Sequence, residues 1–413
     1  MPDTSQTSVN DKERSVMQEM TANIGSFRSI RQDLHAHPEL CFQEERTAEL
    51  VAKKLQEWGI AVHRGLGKTG VVGILQAGHS QKAIGLRADM DALPMQELNR
   101  FPHASKYSGK MHACGHDGHT AMLLAAAQYL ATHRDFDGTV YFIFQPAEEG
   151  GGGADKMIKD GLFQLFPMQA VYGMHNWPDL EPGQFAVSSG PVMAAFSTFK
   201  IVIHDKGCHA AMPHLGLDPV PVAAQMILAF QTILTRNVNP LENGLISVTM
   251  VHVGETFNVI AGDCELAGTV RTFSRELMTK IEQRMQAIVR HTCLAHEMEA
   301  DFEFNHLYPA TVNHGEPVEI ARKVMTELVG ADKVLAQTAT MGAEDFAFML
   351  EEIPGCYCFI GNGGGAHRAI GHGAGPCLLH NASYDFNDDI LALGASYWVK
   401  LVAECLPISV GSP

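Results

Sequence analysis

The chain has 413 residues, of which 46% are hydrophobic and 18% are charged, and its formal net charge is −16. Length and composition of this kind predict a globular protein of two or three domains with a large apolar interior. The excess of acidic residues argues against a nucleic acid or an anionic membrane as partner, because neither attracts a negative surface.

The cysteines and the N-terminal residues indicate the cellular compartment of the protein. Nine cysteines at irregular spacing do not resemble a disulfide framework, and they favour a reducing environment. Residues 1–15 are polar and charged, which predicts a flexible tail without the apolar run of a signal peptide. No apolar stretch reaches the ~18 residues that a membrane span requires. We therefore predict a cytoplasmic protein without a membrane partner.

The first half of the chain predicts helices and then alternating strands and helices. From 16 to 59 the pattern is helical, and Pro38 divides it into two helices. His35 and His37 on this segment are interpreted as structural rather than as ligands. Strands are then predicted at 70–75, 83–87, 139–145 and 170–174, with a helix at 118–133 that is apolar nearly all round. This alternation favours an α/β sheet covered by helices on both faces.

A different pattern follows between 193 and 305. Its predicted order is strand, helix, strand, strand, helix, strand, which is that of a ferredoxin-like module. The predicted elements are 196–204, 219–236, 245–253, 264–273, 275–299 and 301–305. Helix and strand then resume at 317–328, 345–351 and 356–360. We therefore predict an α+β domain inserted into the α/β domain.

Acidic residues or a histidine follow three of the predicted strands. Asp89 and Asp91 follow one strand, Glu148 and Glu149 the next, and His175 the third. Because ligands of open α/β sheets bind beyond the carboxyl ends of the strands, we expect these side chains at one edge of the sheet.

The segment 111–119, MHACGHDGH, places three histidines, a cysteine and an aspartate within nine residues. Imidazole, thiolate and carboxylate groups are ligands of zinc and its neighbours, so the segment predicts a divalent metal site. Two other readings of Cys114 stay open, a small buried hydrophobe and a catalytic nucleophile. The pair Glu148–Glu149 would in isolation be a solvated loop pair. Its place between Pro146 and four glycines, after a buried strand, favours a functional pair instead.

Nine motifs in sequential order resemble the M20 metallopeptidase superfamily and are most similar to its amidohydrolase (M20D) branch. They are GLRADMDALP (85–94), MHACGHDGH (111–119), QPAEEGGGGA (145–154), MHNWP (174–178), DKGCHAAMPH (205–214), NVIA (258–261), GTVRTF (268–273), MGAEDFAFM (341–349) and LHN (379–381). That branch holds hippurate hydrolases, N-acyl-amino-acid deacylases and auxin-conjugate hydrolases. The resemblance implies an α/β/α sandwich catalytic domain, 16–192 and 306–413, with an inserted ferredoxin-like lid or dimerisation domain, 193–305.

The resemblance also implies a centre with two divalent metal ions and five ligands at matching positions: Cys114, His116, Glu149, His175 and His380. Such donors suit Zn or Mn first, with Co and Ni as further candidates, rather than Mg or Ca. Glu148 is implied as the general base, which takes a proton from water and returns it to the leaving nitrogen. His209 is implied as a donor to the oxyanion, and Asn258 and Arg271 as substrate contacts of the lid.

Some positions depart from the family pattern or have more than one reading. Cys208 precedes His209 at a position where the family usually has glycine. Asp89 stands where related peptidases have the histidine of a His-x-Asp metal motif. His209 could also be a surface histidine, and Arg271 an exposed charge on a strand. Whether His209 acts in its own or a partner subunit's site is open. The roles of three further residues, Asp91, His112 and His119, are open as well. Asp91 is a candidate neighbour of the ligands.

The resemblance predicts metal-dependent hydrolysis of the amide bond of N-acyl or N-aroyl amino acids, such as hippurate, to a carboxylic acid and a free amino acid. One alternative is a dipeptidase or aminoacylase of the same superfamily. Another is a non-catalytic binding protein that retains the metal. The predicted partners are a small-molecule substrate and further copies of the chain, in a homodimer or higher homo-oligomer formed through the lid.

Overall fold

The computed structural model describes residues 5–368 and 370–408, with side chains described from residue 16 onward. Of the predicted flexible tail 1–15, residues 1–4 lie outside the described residues, whereas the backbone is helical from Ser5. No proline or glycine interrupts the sequence between Ser5 and Ile24, and the helix extends into the segment predicted as a tail. Among the described helices, none has the length and hydropathy of a transmembrane segment.

Helices and strands both occur along the whole described chain. The helices are α1 (Ser5–Ala36), α2 (Glu45–Glu57), α3 (His116–Thr132), α4 (Gly153–Lys159), α5 (Leu162–Leu165), α6 (Pro219–Thr232), α7 (Arg275–Ala295), α8 (Gly315–Val329), α9 (Ala347–Glu352) and α10 (Leu391–Cys405). The strands are β1 (Ala61–Leu66), β2 (Gly70–Ala77), β3 (Ala83–Asp89), β4 (Gly138–Gln145), β5 (Ala170–Trp177), β6 (Phe185–Ala186), β7 (Gly190–Met193), β8 (Ala195–His204), β9 (Cys208–His209), β10 (Gly244–Val253), β11 (Val259–Ile260), β12 (Asp263–Thr272), β13 (Glu299–Tyr308), β14 (Thr311–Asn313), β15 (Val334–Leu335) and β16 (Gly355–Gly361).

The chain forms two compact units. The first consists of Met1–Gly190, Val312–Thr338 and Phe348–Pro413, and the second of Pro191–Thr311 and Ala339–Ala347. The second unit therefore contains the predicted insertion, 193–305, with a few residues on either side of it. It also contains the separate segment Ala339–Ala347, which lies within the range 306–413 predicted for the other domain. The assignment of a catalytic role to one unit and a lid role to the other stays a prediction.

The first unit contains an eight-stranded sheet with the order β1-β2-β4-β3-β5-β16-β6-β15. In it, β3 pairs in parallel with β4 and β5, and β5 pairs in parallel with β16. Both β3 and β16 are buried along their whole length, as expected for strands covered on both faces. The carboxyl ends of four neighbouring strands therefore lie at one edge of the sheet.

The helix predicted at 118–133 corresponds to α3, which is buried on nearly all sides and packs against α1 and α10. Its contact with α10 is close, since a Cβ at Gly394 would clash with the Met122 sulfur. No helix is predicted from the sequence where α10 lies. The predicted α/β class with a large central sheet is confirmed.

The second unit has the element order β8, α6, β10, β12, α7, β13, and its sheet order is β10-β12-β8-β13 with antiparallel neighbours. This arrangement is ferredoxin-like, as predicted. Side chains cap both helices, because Asp218 accepts from the Val220 N–H and Ser274 from the Leu277 N–H. Apolar residues of α6, α7 and the covered sheet face form a separate hydrophobic core.

Arg31 of α1 is fully buried and lies beside acidic side chains from two distant segments. Its Nη2 donates to Asp385 at 2.5 Å, and its Nε lies 3.1 Å from Asp117. On the next turn, His35 Nδ1 lies 2.8 Å from Asp117 and Nε2 lies 3.2 Å from Glu97. Burial lowers the pKa of His35, but the hydrogen bonds to Asp117 and Glu97 outweigh it and raise the pKa to about 9. His35 is therefore structural, and α1 supplies the positive charge that these buried acids need.

Replacing Arg31 by Met should lower the free energy of unfolding by roughly 3–5 kcal/mol, because Asp117 and Asp385 would lose their buried cation. Arg28→Met on the same helix is the matched control. The Arg28 side chain is 43% exposed and pairs with Asp389 at 2.8 Å, so its loss should cost less than about 1 kcal/mol. Urea unfolding of the metal-free protein measures both, and equal losses would contradict the role given to Arg31.

Candidate metal centre

Potential metal donors converge where β3, β4 and β5 end. Three groups of donor atoms each lie within 4.8 Å of one another: Cys114, His116 and His175; Cys114, Glu149 and His380; and His116, Glu148 and Glu149. The structure therefore brings together the five ligands implied by the resemblance, and it places Glu148 beside them. Cys114 belongs to two of the groups, so its sulfur lies between the histidine of β5 and the histidine near the C-terminus.

The hydrogen bonds of these side chains leave metal-binding atoms available. His175 Nδ1 donates to the Asn176 carbonyl at 2.6 Å, and its Nε2 lies 3.3 Å from the Cys114 sulfur. His116 Nδ1 donates to the Asp91 carbonyl at 2.9 Å. Among the described residues, His116 Nε2 is buried without a hydrogen-bond partner, and so is Glu149 Oε1, which has His380 Nε2 at 3.2 Å but not in hydrogen-bonding geometry. Buried polar atoms are rarely left so, and a metal ion would satisfy both, so the residues fit the implied centre.

The charges of the site also suit a cation. Burial and the carboxylates Glu149, Glu148 and Asp89 raise the pKa of the Cys114 thiol well above its usual value. A thiol in that position becomes a thiolate only when a positive charge stabilises it. Burial, with His119 nearby, lowers the pKa of His175, which keeps this imidazole in the neutral form that binds metals.

The turn that carries Glu148 and Glu149 has an unusual backbone. Ala147 has a φ of 54°, which is rare for a residue with a side chain, and Gly150 has a φ of 84°. A Cβ at Gly153 would clash with the Pro146 carbonyl oxygen, so the chain can return past this turn only with a glycine there. The buried Glu44 accepts the Ala147 N–H at 2.9 Å and thereby holds the turn. Glu44 is not predicted from the sequence, because nothing marks it within an ordinary charged segment.

His380 reaches the site from a loop near the C-terminus. Its φ is 59°, and its backbone N–H donates to the Ala113 carbonyl at 2.8 Å. Its Nε2 lies 3.2 Å from Glu149 Oε1, while its side chain is 54% exposed. A histidine that is both exposed and held in a strained conformation beside a carboxylate is typical of a functional residue.

Two of the residues with open roles act behind the donors. His119 Nδ1 donates to Asp89 at 2.6 Å, and its Nε2 accepts the Asn176 backbone N–H at 3.0 Å, so both ring nitrogens are occupied. Asp91 lies 3.3 Å from His116 Nδ1 and accepts the backbone N–H of Glu149 at 2.9 Å. Contacts of this kind are typical of residues that orient metal ligands.

His112 differs from these two residues. Its ring is buried, and neither ring nitrogen has a hydrogen-bond partner among the described residues. Burial lowers its pKa to about 4, so the ring is neutral near pH 7. Nothing in the structure explains its role.

His209 and Asn258 lie next to each other in the second unit. The short strands β9 and β11 pair His209 with Val259, and the Ala210 N–H donates to the Asn258 carbonyl. His209 Nδ1 accepts the Ala211 N–H at 3.0 Å, which leaves the ring proton on Nε2. Both side chains are exposed, so His209 presents an N–H donor to its surroundings.

Arg271 is not brought to this pair. It lies eight residues beyond Asp263, where β12 begins next to the β9–β11 ladder, and that is about 26 Å at the usual rise per residue. Its guanidinium lies over the Phe196 ring at 3.8 Å, and burial lowers its pKa. No carboxylate pairs with Arg271 among the described residues. It is therefore a half-buried cation without a counter-ion in its own unit.

Comparison with known proteins agrees with this geometry. Residues 85–404 match the family described as Peptidase family M20/M25/M40. The chain belongs to this family.

The chain is 40% identical over 383 residues to the hippurate hydrolase of Campylobacter jejuni, covering 92% of this chain and 97% of that protein. It is 41% identical over 336 residues to the N-acetyl-L-cysteine deacetylase of Bacillus subtilis, covering 81% and 80%. The structure of the YXEP protein of Bacillus subtilis, a dinuclear metal-binding peptidase from family M20, has a TM-score of 0.80 at 33% identity, covering 94% and 99%.

The resemblance to the M20 amidohydrolase branch is thus confirmed, and the family makes the chain a metal-dependent hydrolase of amide bonds. The identity of the metal and the roles of individual residues stay predictions. The geometry adds that the implied ligands lie within reach of one another in the first unit.

Cys114→Ala should weaken binding of Zn²⁺ or Co²⁺ by at least about 10-fold, because it removes a donor shared by two groups. The matched control is Cys356→Ala, which removes another buried thiol, from β16, without touching the donor cluster. Competition with a chromophoric chelator measures both affinities. Unchanged affinity in the Cys114 variant would remove Cys114 from the ligand set.

Proposed function

We propose that the chain hydrolyses N-acyl or N-aroyl amino acids to a carboxylic acid and a free amino acid, with hippurate as the model substrate. The observation that carries the proposal is the adjacent pair Glu148–Glu149 at the donor cluster, where one carboxylate can bind metal and its neighbour can move a proton. The names of the hippurate hydrolase and the N-acetyl-L-cysteine deacetylase support the substrate class.

Five residues would hold two divalent ions: Cys114, His116, Glu149, His175 and His380. Bound there, such ions would supply Lewis-acid activation of the amide carbonyl and of water. The Glu148 carboxylate accepts the proton of the attacking water and then delivers it to the nitrogen that leaves. His209, with its proton on Nε2, donates to the oxygen on which negative charge develops.

The free carboxylate of the substrate needs a cationic partner, and Arg271 suits that role. Its guanidinium is stacked on Phe196 and has no carboxylate beside it among the described residues, so it is oriented in advance and not yet neutralised. Asn258, next to His209, offers an amide that can contact the substrate near the scissile bond.

The separation of Arg271 from His209 bears on the oligomeric state. Arg271 lies about 26 Å along β12 from Asp263, the end of the strand next to the β9–β11 ladder of His209, and this length exceeds that of an N-acyl amino acid. We infer that the two residues serve different metal centres in a homodimer or higher oligomer, as expected if the second unit mediates association. The cytoplasmic location stays a prediction from the sequence.

A screen of N-benzoyl- and N-acetyl-amino acids against free dipeptides, with Zn²⁺, Mn²⁺, Co²⁺ or Ni²⁺ added separately, tests the proposal directly. Turnover of dipeptides alone would favour the dipeptidase alternative. Metal binding without turnover of any compound would favour the non-catalytic alternative.

Glu148→Gln should retain the bound metal and lose about 100-fold or more of kcat on N-benzoylglycine, because the amide cannot accept the proton of the attacking water. Metal content and steady-state hydrolysis are measured on the same preparation. Unimpaired hydrolysis would remove Glu148 from the mechanism, and loss of the metal would instead make it a ligand.

Arg271→Ala should lower kcat/KM for N-benzoylglycine by about 10- to 100-fold, the range expected for a lost charge-assisted contact. Its effect on the carboxamide analogue, N-benzoylglycinamide, should be small, because that compound has no carboxylate. Lys200→Ala is the matched control, since Lys200 is a cation of the same sheet that already pairs with Glu265 at 2.8 Å. Equal losses on both substrates would assign Arg271 to the fold rather than to recognition.

A further inference from the structure

Three segments that carry donors meet at one buried amide, the side chain of Asn176. Its Nδ2 donates to the Cys114 carbonyl at 2.6 Å, and its Oδ1 accepts the Tyr384 hydroxyl at 2.6 Å. Asn176 itself follows His175 directly in β5, and Tyr384 lies four residues after His380. A single side chain is thus bonded to the loop of Cys114 and to the loop of His380, and it is fixed to the strand that carries His175.

We propose that Asn176 and Tyr384 are positioning residues, which hold the three donor-bearing segments at the spacing that the metal centre requires. The proposal rests on the metal centre of the proposed function, and it assigns to these two residues the geometry of the centre rather than contact with the metal or the substrate. Asn176 lies within the motif MHNWP but has no role assigned from the sequence, and Tyr384 lies outside the nine motifs.

The orientation of the amide is determined by its neighbours. Because the Cys114 carbonyl can only accept, the NH₂ group of the Asn176 amide must face it, and the amide oxygen then accepts from the Tyr384 hydroxyl. Burial raises the pKa of Tyr384 well above its usual value, so the hydroxyl keeps its proton and stays a donor. Both residues are completely buried, so water cannot replace either partner without a change in packing.

The glycine between Cys114 and His116 supports the same inference. Gly115 has a φ of 97°, and a Cβ there would clash with Asn176 Nδ2 and lie 2.7 Å from the Tyr384 hydroxyl oxygen. The pair therefore lies directly against the backbone of the loop, where any side chain would displace it. The spacing Cys-Gly-His is explained by this contact and not only by the turn.

The backbone of Asn176 extends the network to the acidic residues behind the site. Its N–H donates to His119 Nε2 at 3.0 Å, and His119 Nδ1 donates to Asp89 at 2.6 Å. Asp89 in turn pairs with Arg87 at 2.7 Å. The amide is thus held from the sheet as well as from the loops, and it can transmit the position of β5 to both of them.

The decisive test is Tyr384→Phe, which removes one hydroxyl group and keeps the ring. Tyr397→Phe is the matched control, because Tyr397 is equally buried and its hydroxyl accepts from the Cys358 thiol, at 3.6 Å, away from the donors. Three quantities are measured on full-length protein: the melting temperature without metal, the affinity for Zn²⁺ by chelator competition, and the thiolate-to-cobalt absorption band of the Co²⁺ form.

The affinity of Tyr384→Phe for Zn²⁺ should fall by about 10-fold or more, the size seen when a group that orients ligands is removed, and its cobalt band should shift. Tyr397→Phe should keep both properties at a similar loss of melting temperature. Asn176→Asp is the second variant, because it keeps an acceptor for Tyr384 and loses the donor to the Cys114 carbonyl. It should weaken Zn²⁺ binding as well.

Wild-type affinity and an unshifted cobalt band in both Tyr384→Phe and Asn176→Asp would overturn the proposal and leave the metal centre intact. Failure of the wild-type protein to bind Zn²⁺ or Co²⁺ at all would overturn the proposed function, and this proposal with it. If Tyr384→Phe does not fold, the affinity and spectrum of Asn176→Asp decide the matter alone.

Discussion

The parallel pairing of β3 with β4 on one side and with β5 on the other is the interaction on which the candidate site depends. It brings the carboxyl ends of three strands to one edge, so that Asp89, the turn with Glu148, and His175 become neighbours. Backbone hydrogen bonds fix this register, and a slip by one residue would turn every side chain to the opposite face. The sheet therefore positions His175 and the turn with Glu148 and Glu149, whereas the segment before α3 and a loop near the C-terminus supply the other donors.

Burying several carboxylates in one region costs free energy, and the fold offsets this cost with buried arginines that pair with acidic residues near the donors. Arg87 pairs with Asp89 at 2.7 Å, and Arg31 lies between Asp117 and Asp385. At the donors themselves, neighbouring carboxylates raise the pKa of Cys114 and that of His116. The pKa of His116 rises to about 10, although burial alone would lower it. Metal binding must therefore release protons, so affinity should fall as the pH falls.

The sequence predicts those parts of the site that depend on local pattern or on short motifs. The strand ends, the buried helix α3 and the ferredoxin-like order follow from hydrophobic periodicity, and the donor residues follow from motifs of a few residues. Asn176, Tyr384 and Glu44 could not be predicted in this way. Their roles come from hydrogen bonds between residues that are distant in the chain, 208 positions apart for Tyr384 and Asn176, and no local pattern encodes such a pairing.

The backbone is strained at two positions near the donors, and hydrogen bonds within the protein hold both of them. Ala147 and His380 have φ values of 54° and 59°, a conformation that costs of order 1–3 kcal/mol for residues with a side chain. In each residue the backbone N–H donates a hydrogen bond, to Glu44 from Ala147 and to the Ala113 carbonyl from His380. Neither bond uses a side-chain atom of the donor set, so both can hold the turn and the loop without occupying a metal-binding atom. The residues that hold these segments then determine how much metal affinity the same set of donors provides.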